Sequence, residues 1–342
     1  PAKSGDLDDT RQSTWGMSEK KLGKIIMLRI SLLFVVGCFA GMPASAETTL
    51  RVMSYNVWGG GGKEDKPTDE TLAVLRAANA DLIGLQETRL EGEICEADFC
   101  PAAGDSVGPV LAEALGYYYY EQTEENVALW ANGILSRYPI TGSSQHDLGV
   151  SIDVNGQTVW LFNIHLDDEP YQPYQLLGIE YGPAPFITTA EDAVMWANQT
   201  RGPAMALLAE AMVAADGAAA VFVTGDFNEP SGHDWTDAAV IAGQKPVAVV
   251  WPTTAGLEAQ GFIDTYRVIH ADPVAKPAYT WTPYYEEAAT DDHPDRIDFV
   301  LAKGLGLTVT DAWIVGEDGP RSDIVVTPWP SDHRASLAEV KF

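Results

Sequence analysis

The segment 223–228 carries two oxygen-bearing side chains, Asp226 and Asn228, two positions apart at the end of an apolar run. A strand that ends in a sharp turn at Gly225 would let both side chains face one point beyond the sheet. Carboxylate and amide oxygens are the ligands that hard divalent cations prefer, and the same two groups can hold an attacking water. Because Asp and Asn are also common turn residues, this motif alone is a weak indication.

A second group of chemically capable residues lies near the carboxyl end. Asp332 and His333 are adjacent, and neighbours on a strand point to opposite faces, so a loop is expected to present both. Asp298 lies inside the apolar segment 296–302, where a buried carboxylate needs a partner. Pairing of Asp298 with His333 would fix the tautomer of the imidazole and raise its basicity, which suits proton transfer.

The apolar pattern predicts how these side chains are positioned. Buried strands are predicted at 49–56, 81–87, 157–165, 219–226 and 296–302, and helices at 68–79, 108–115 and 190–215. Four of these strands end in a polar residue at the carboxyl edge: Asn56, Glu87, His165 and Asp226. Strands that alternate with helices predict an α/β protein in which polar side chains gather where the strands end.

These residues belong to a longer series of motifs whose order resembles the endonuclease/exonuclease/phosphatase superfamily. That superfamily includes pancreatic-type deoxyribonucleases, apurinic-site nucleases, sphingomyelinases and inositol-phosphate phosphatases. The resemblance spans residues 51–340, and the secreted bacterial members are the most similar. The motifs are Tyr55-Asn56, Leu85-Gln86-Glu87-Thr88, Gly133-Ile134-Leu135-Ser136-Arg137, Asn163-Ile164-His165, Gly225-Asp226-Phe227-Asn228, Arg296-Ile297-Asp298 and Ser331-Asp332-His333.

The resemblance implies a fold and a metal. The fold would be a four-layer α/β sandwich, in which two packed mixed sheets are flanked by helices. The cofactor would be Mg²⁺ or Mn²⁺, with Glu87 as the principal ligand and Asn56 and Asp332 in support. Both ions take oxygen ligands in octahedral sites, so the sequence does not choose between them.

The resemblance also implies catalytic roles. Asp226 and Asn228 would orient the attacking water and could contribute to a second metal. His333, paired with Asp298, would transfer a proton, and His165 would donate to a non-bridging phosphate oxygen. In-line attack on phosphorus builds negative charge on the equatorial oxygens, which a metal and an imidazole can stabilise.

The first 46 residues are interpreted as upstream residues followed by a secretory signal peptide, which leaves the catalytic domain at 47–342. A basic residue, Arg29, precedes the apolar run 30–42, and small residues in an A-x-A pattern end at Ala46. The expected location is therefore secreted or periplasmic. An alternative uses the lipoprotein-like segment 35–38 and would leave the protein lipid-anchored at Cys38. In an oxidising compartment, the two remaining cysteines, Cys95 and Cys100, could form a small disulfide loop or stay as free thiols.

Charge argues against a polyanionic substrate. The first 46 residues hold six basic and four acidic residues, so residues 47–342 carry 15 basic against 45 acidic ones, a net charge of −30. Lys and Arg normally supply most of the non-specific affinity for DNA, and an acidic surface repels it. Nucleic acid is disfavoured as a substrate but not excluded, since a bound metal or a local basic patch could compensate. High acidity also promotes solubility in a saline exterior.

Three hypotheses about function remain. The first is hydrolysis of small or lipid-head-group phosphoesters, in which the aromatic stretch 167–190, including Tyr171 and Tyr174, would contact the organic group. That stretch could equally be a simple surface excursion. The second is a secreted nuclease, for which Arg89 would contact the substrate. His233, close after the turn at 225–228, could line the site for either class of substrate. The third, a non-catalytic binding module on the same fold, predicts missing motif residues, and none is missing. The sequence indicates neither the oligomeric state nor a stable protein partner.

Overall fold

The strands of the protein follow its apolar runs. The computed structural model describes residues 47–92, 101–285 and 289–342. The strands in these ranges are β1 (Thr49–Asn56), β2 (Leu82–Gln86), β3 (Leu90–Glu91), β4 (Ala102–Ala103), β5 (Tyr118–Glu121), β6 (Gly133–Ser136), β7 (Ile140–Ser143), β8 (Gly149–Val154), β9 (Gln157–His165), β10 (Ala220–Asp226), β11 (Ile263–Asp264), β12 (Asp298–Lys303), β13 (Thr308–Gly316), β14 (Ile324–Val325) and β15 (Ala335–Lys341).

The helices begin and end at local signals in the sequence. They are α1 (Thr68–Ala78), α2 (Gly108–Leu115), α3 (Gln172–Leu177), α4 (Ala190–Ala211), α5 (Asp237–Ile241), α6 (Pro252–Ala259) and α7 (Thr265–Ile269). The side chain of Thr189 caps α4 by accepting from the backbone N–H of Asp192. Gly116 ends α2 in a left-handed conformation, at a φ of 70°. None of the helices in the described ranges has both the length and the apolar character that a membrane crossing requires.

Two large mixed sheets form the centre of the molecule. The first has seven strands in the order β14-β13-β15-β1-β2-β6-β5, and the second has six in the order β11-β12-β10-β9-β8-β7. β1 runs parallel to β2 and antiparallel to β15. β10 runs parallel to β9 and antiparallel to β12. Parallel and antiparallel neighbours in each sheet give the mixed α/β sandwich that the sequence predicts.

Side-chain alternation along the central strands builds the layers. On β1, Leu50 and Val52 pack in the core between the sheets, while Met53 and Tyr55 pack in a second core with α1 and α2. β9 and β10 repeat this arrangement, with alternate residues in the central core and in a third core against α4. Because neighbouring strand residues face opposite sides, each central strand is buried on both faces. The protein is therefore layered helix, sheet, sheet, helix.

The predicted elements agree with the structure to within a few residues, but the sequence pattern did not predict β3, β4, β6–β8, β11, β13–β15 or α5–α7. The predicted strand 296–302 begins only at Asp298, because the Arg296 side chain instead enters a buried ion-pair cluster with Asp234 and Asp264. The stretch 167–190 contains the helix α3, which the sequence pattern did not predict. Residues 1–46 and both Cys95 and Cys100 lie outside the described ranges, so the signal peptide, the Cys38 anchor and the disulfide remain predictions.

Candidate active site

The register of the strands brings the catalytic positions to one edge of both sheets. In the six-stranded sheet, Asp226 pairs with His165 across the parallel β9–β10 ladder and with Asp298 across the antiparallel β10–β12 ladder. In the seven-stranded sheet, Asn56 pairs with Gln86, so Glu87 follows at the same edge. Tertiary packing of the two sheets then places the two rows of polar side chains face to face.

The Asp226 carboxylate lies at the centre of this cluster. Its Oδ2 accepts from the Asn56 amide at 3.1 Å and lies 3.7 Å from His165 Nε2 and 3.5 Å from His333 Nε2. Its Oδ1 accepts from the backbone N–H of Asn228 at 3.0 Å, which fixes the turn after β10. The side chain of Asp226 is almost fully buried. Groups from both sheets therefore converge on one oxygen of one carboxylate.

Asp298 and His333 form the predicted pair. His333 Nδ1 lies 2.9 Å from Asp298 Oδ2, and both residues are buried. The Thr280 hydroxyl accepts from the backbone N–H of Asp298 and holds the start of β12. Burial works against a charged imidazolium, but nearby carboxylates, Asp298 foremost, outweigh it and raise the pKa of His333 well above its ordinary value. The surroundings of His333 therefore favour its charged form, as a group that donates a proton requires.

Glu87 and Asn56 meet across the parallel β1–β2 pair. The Asn56 amide donates to Glu87 Oε1 at 2.9 Å, and the same amide nitrogen bonds Asp226. The backbone N–H of Gly59 donates to Glu87 Oε2 at 3.0 Å. The Asn56 oxygen accepts from the Trp58 backbone N–H at 2.9 Å, so the amide orients two carboxylates while one lone pair of its oxygen is already engaged.

Asp332 completes the acidic group at this edge. Burial, together with the carboxylates of Glu87 and Asp226, raises the pKa of Asp332 to about 6 against the opposing effect of His333. Its Oδ1 is buried and has no hydrogen-bond partner among the residues that the structure describes. That oxygen lies 4.0 Å from His333 Nε2, which only partly offsets the cost of burying it near other carboxylates, so a cation would neutralise the remaining charge. The oxygen donors of Glu87, Asp332 and Asn56 therefore fit a hard divalent cation.

A second geometric possibility for a cation is less favourable. One ligand atom each from Asp226, Asp298 and His333 lies within 4.8 Å of the others. However, His333 Nδ1 already bonds Asp298 Oδ2, and the charged imidazolium would repel a cation placed between them. This trio suits proton transfer better than metal binding, which agrees with the roles that the sequence motifs imply.

His165 and Asn228 border the cluster on the β9–β10 side. His165 Nδ1 lies 3.5 Å from the Trp130 carbonyl, and the two rings meet edge to face with centroids 6.2 Å apart. Its Nε2 faces Asp226, so the tautomer that donates from Nε2 can reach a phosphate oxygen. The Asn228 amide donates to the Leu166 carbonyl at 2.8 Å, which leaves its oxygen for a water.

The loop that carries Asp332 and His333 is tied to β1. The Ser331 hydroxyl donates to the Asn56 carbonyl at 2.7 Å and accepts from the His333 backbone N–H at 3.0 Å. The Trp329 indole N–H donates to the His333 carbonyl at 3.0 Å. Ser331 belongs to a sequence motif, but its link to β1 spans most of the chain and has no local signal.

The four predicted substrate contacts lie in different environments. Tyr171 is 4% exposed, and its hydroxyl donates to Asp295 at 3.0 Å, so the prediction that it contacts the substrate is corrected to a buried structural role. The ring of Tyr174 is also largely buried, but the residue lines an open cleft. Arg89 lies 3.0 Å from Glu121, a partner that neutralises its charge. His233 is exposed and pairs with Glu258, and none of its contacts with described residues joins it to the catalytic group.

Sequence patterns do not predict a pair of buried residues that lies behind the turn after β10. Glu229 accepts from both the backbone and the hydroxyl of Thr253 at the start of α6, at 2.8 and 2.7 Å. Its other oxygen lies 3.8 Å from Arg201 on α4, and both side chains are fully buried. The position of Glu229 directly after Asn228 was the only available signal, since its partners are distant in sequence.

Comparisons with known proteins agree with this geometry. Residues 53–333 match the Endonuclease/Exonuclease/phosphatase family. The chain is 24% identical to the uncharacterized protein F14F9.5 of Caenorhabditis elegans over 337 residues, which cover 93% of this chain and 99% of the relative.

Solved structures show a more distant likeness. An endonuclease/exonuclease/phosphatase from Beutenbergia cavernae is 17% identical over 86% of this chain and 72% of its own, with a TM-score of 0.49. An AP endonuclease from Archaeoglobus fulgidus is 16% identical over 84% of this chain and 98% of its own, with a TM-score of 0.45. The match over residues 53–333 shows that the chain belongs to the Endonuclease/Exonuclease/phosphatase family, whose members are metal-dependent hydrolases of phosphoester bonds.

Proposed function

We propose that this protein is a secreted phosphoesterase that uses Mg²⁺ or Mn²⁺ to hydrolyse small or lipid-head-group phosphoesters. The observation that carries the proposal is the convergence on Asp226 Oδ2 of the Asn56 amide and the Nε2 atoms of His165 and His333. Nitrogen donors around one carboxylate can hold a phosphoryl group and the water that attacks it.

Each residue of the site would perform a separate part of the reaction. Asp226 and the Asn228 oxygen orient a water for in-line attack, and Asp226 accepts its proton as the new phosphorus–oxygen bond forms. The His333 imidazolium donates its Nε2 proton to the oxygen that leaves, and Asp298 stabilises the charged ring. His165 donates to a non-bridging oxygen of the phosphate.

A divalent cation fits beside this group, held by Glu87 and Asp332 with support from Asn56. When bound, it supplies positive charge that offsets the charge developing on the phosphate oxygens. Glu87 is oriented for this task by the Asn56 amide and the Gly59 backbone N–H. Removal of the cation with EDTA should therefore abolish activity.

The charge of the chain supports a small substrate over nucleic acid. Residues 47–342 carry a net charge of −30. Near the site, Arg89 is paired with Glu121, and Lys63 is paired with Glu91 at 3.2 Å. Neither residue is left to neutralise a row of backbone phosphates, which is the main source of affinity in nucleases.

The test compares purified residues 47–342 with the His333→Ala variant on two substrate classes. Small phosphomonoesters and phosphodiesters should be hydrolysed with Mg²⁺ or Mn²⁺, and both EDTA and the variant should abolish turnover. Supercoiled plasmid at low salt should stay intact. Nicking that disappears in both controls would instead establish a nuclease, and no turnover of any small ester would reject the proposal.

Secretion is tested separately with the full chain expressed in a bacterial host. Cleavage after Ala46 should give an exported protein that begins at Glu47, identified by mass spectrometry of the intact protein. The Cys38→Ser variant should be processed identically. If that variant lost membrane association and a lipid-sized mass, the lipid-anchored alternative would be correct.

A further inference from the structure

The loop between β1 and α1 contains four consecutive residues in an unusual backbone conformation. Trp58, Gly59, Gly60 and Gly61 all have a positive φ, between 55° and 70°. Residues other than glycine rarely adopt this left-handed region, because the Cβ comes too close to the following carbonyl oxygen. Trp58 therefore carries backbone strain, and such strain persists only where the surrounding contacts impose it.

This conformation directs three successive backbone N–H groups toward the two proposed cation ligands. The Trp58 N–H donates to the side-chain oxygen of Asn56 at 2.9 Å, and the Gly59 N–H donates to Glu87 Oε2 at 3.0 Å. The Gly60 N–H donates to the main-chain carbonyl of Glu87 at 2.7 Å. Successive residues of a strand alternate in direction, whereas a turn of this kind forms a concave nest in which neighbouring N–H groups converge on oxygen atoms.

Glu87 needs this support because its own backbone is left-handed. It has a φ of 55° directly after β2. The Gly60 N–H holds its carbonyl on one side. On the other side, the next residue, Thr88, donates from its backbone and its hydroxyl to the Ala131 carbonyl, at 2.7 and 2.8 Å. Contacts with two separate segments of the chain therefore impose the conformation of this ligand.

Close packing gives a second, purely structural reason for glycine at one position of the loop. A Cβ on Gly61 would lie 2.6 Å from the Thr71 hydroxyl oxygen on α1, so contact excludes a side chain there. A Cβ on Gly60 would have the Thr88 carbonyl oxygen as its nearest neighbour, at 3.4 Å, the near limit of ordinary contact. Space therefore allows a side chain at Gly60, and its φ of 70° is what opposes one.

We propose that residues 58–61 form a positioning loop, which holds Asn56 and Glu87 in place before the cation binds. The proposal rests on the proposed function, because it takes these two residues as ligands of Mg²⁺ or Mn²⁺. Ligands that existing hydrogen bonds already hold lose little freedom when a cation arrives, so the loop raises affinity without touching the ion. Gly60 is a positioning residue, since its N–H fixes the backbone of Glu87 and its φ disfavours other residues.

The test compares alanine at two glycines that are close in sequence. In Gly60→Ala, the added Cβ opposes the left-handed conformation. Gly62 has a φ of −129°, and a Cβ there would lie 3.7 Å from the Lys66 carbonyl oxygen, an ordinary contact, so Gly62→Ala is the matched control. Gly60→Asn is the conservative variant, because asparagine tolerates a positive φ better than alanine does. All variants are made in the full chain.

Binding of Mn²⁺ is measured without substrate, from the electron paramagnetic resonance signal of the free ion. At about 1 M salt, a screening length of ~3 Å weakens adventitious binding to the acidic surface. The dissociation constant should rise about 10-fold in Gly60→Ala, the lower end of the roughly 10–100-fold contribution of groups that orient metal ligands. It should return toward the wild-type value in Gly60→Asn and stay unchanged in Gly62→Ala. Glu87→Gln, which removes the charge of the ligand, should abolish binding at this site.

Urea denaturation in EDTA separates positioning from a merely structural role. If Gly60→Ala lowered the free energy of unfolding but kept the wild-type Mn²⁺ dissociation constant, while Glu87→Gln lost binding, only the loop proposal would be overturned. Unchanged binding in Glu87→Gln would reject the cation position in the proposed function, and the loop proposal with it. Binding that depends on both Glu87 and Gly60, in a protein that hydrolyses no phosphoester, would retain the loop proposal and reject the proposed function.

Discussion

At the level of single residues, the active site depends on how much negative charge is concentrated around His333. Asp226, Asp298 and Asp332 all act on this imidazole and hold its pKa well above the ordinary value. Such a ring stays protonated through neutral pH and can donate in catalysis, whereas an isolated histidine would be mostly neutral. We therefore expect these carboxylates to set the pH range of activity.

The first prediction concerns the Asp298–His333 pair. His333→Gln should lower kcat by about 10²–10⁴-fold, the usual contribution of general acid–base catalysis. Asp298→Asn keeps the shape but removes the charge that raises the pKa of His333, so the alkaline limb of the pH–rate profile should move to lower pH. Steady-state kinetics across pH measure both effects. An unchanged alkaline limb in Asp298→Asn would contradict the assigned role of the pair.

The second prediction concerns Asp332 in the metal-free protein. Its pKa is raised from 3.8 to about 6, so its contribution to stability is largest below its ordinary pKa and is lost as pH rises toward 6. Asp332→Asn should therefore raise the free energy of unfolding of the metal-free protein at neutral pH by about 1–2 kcal/mol, a figure reduced for partial exposure. Urea denaturation in EDTA measures this change.

The same variant should lose most of the stabilisation that Mg²⁺ or Mn²⁺ gives the wild-type protein. Metal affinity of the wild type should fall below about pH 6, where Asp332 becomes protonated and no longer offers a charged ligand. Asp272→Asn, which changes an exposed carboxylate in another loop, is the matched control. Equal metal stabilisation in Asp332→Asn and wild type would exclude Asp332 as a ligand.

At the level of elements, a buried ion pair between Glu229 and Arg201 connects the turn after β10 to neighbouring helices. Glu229 links this turn to the start of α6 through Thr253, and Arg201 on α4 lies beside its second oxygen. Burying two charges is costly, so the pair is weak evidence for stability by itself. Its effect is to fix the position of Asp226 and Asn228 relative to two helices.

The third prediction tests this arrangement. Arg201→Met removes the charge that opposes the burial-raised pKa of Glu229, so Glu229 must be buried without a charged partner or take up a proton, and the free energy of unfolding should fall by up to about 3–5 kcal/mol. The double variant Arg201→Met/Glu229→Gln should lose less than the sum of the two single changes, because neither charge is then left alone. Urea denaturation of all four proteins completes the cycle. Additive losses would show that the two residues act independently.

At the level of the whole molecule, the excess of acidic residues determines the long-range electrostatics. Residues 47–342 carry a net charge of −30, and such a surface repels itself when salt is low. Local pairs such as Arg334 with Glu317, or Arg267 with Asp234, are buried on the basic side and respond little to salt. In contrast, added salt screens the long-range repulsion between exposed carboxylates.

The fourth prediction follows from this charge. Raising salt from about 0.01 M to about 1 M shortens the screening length from ~30 Å to ~3 Å and should raise the Tm of the mature protein. Potassium chloride, which has little specific effect on protein hydration, is the appropriate salt, and differential scanning calorimetry measures the change. A Tm that falls as salt rises would show that attractive ion pairs outweigh the net repulsion.

The sequence by itself determined the residues of the catalytic group and the edge at which they lie. Asn56, His165 and Asp226 each end a strand whose apolar alternation is visible in the chain, and strand ends gather at one edge of a sheet. The Asp298–His333 pair was also predictable, because a buried carboxylate requires a partner. The positions of these residues follow from local periodicity and the cost of burying charge, whereas their catalytic roles are implied by the resemblance to the family.

Only the tertiary structure decided which aromatic and charged residues are buried and which are exposed. Tyr171 became a core residue bound to Asp295, whereas Tyr284 is exposed and its ring contacts that of Trp58. Arg201 on α4 and Glu229 after β10 form a buried ion pair although they belong to separate elements. Such contacts depend on how distant segments pack against one another, and neither period nor spacing along the chain encodes that packing.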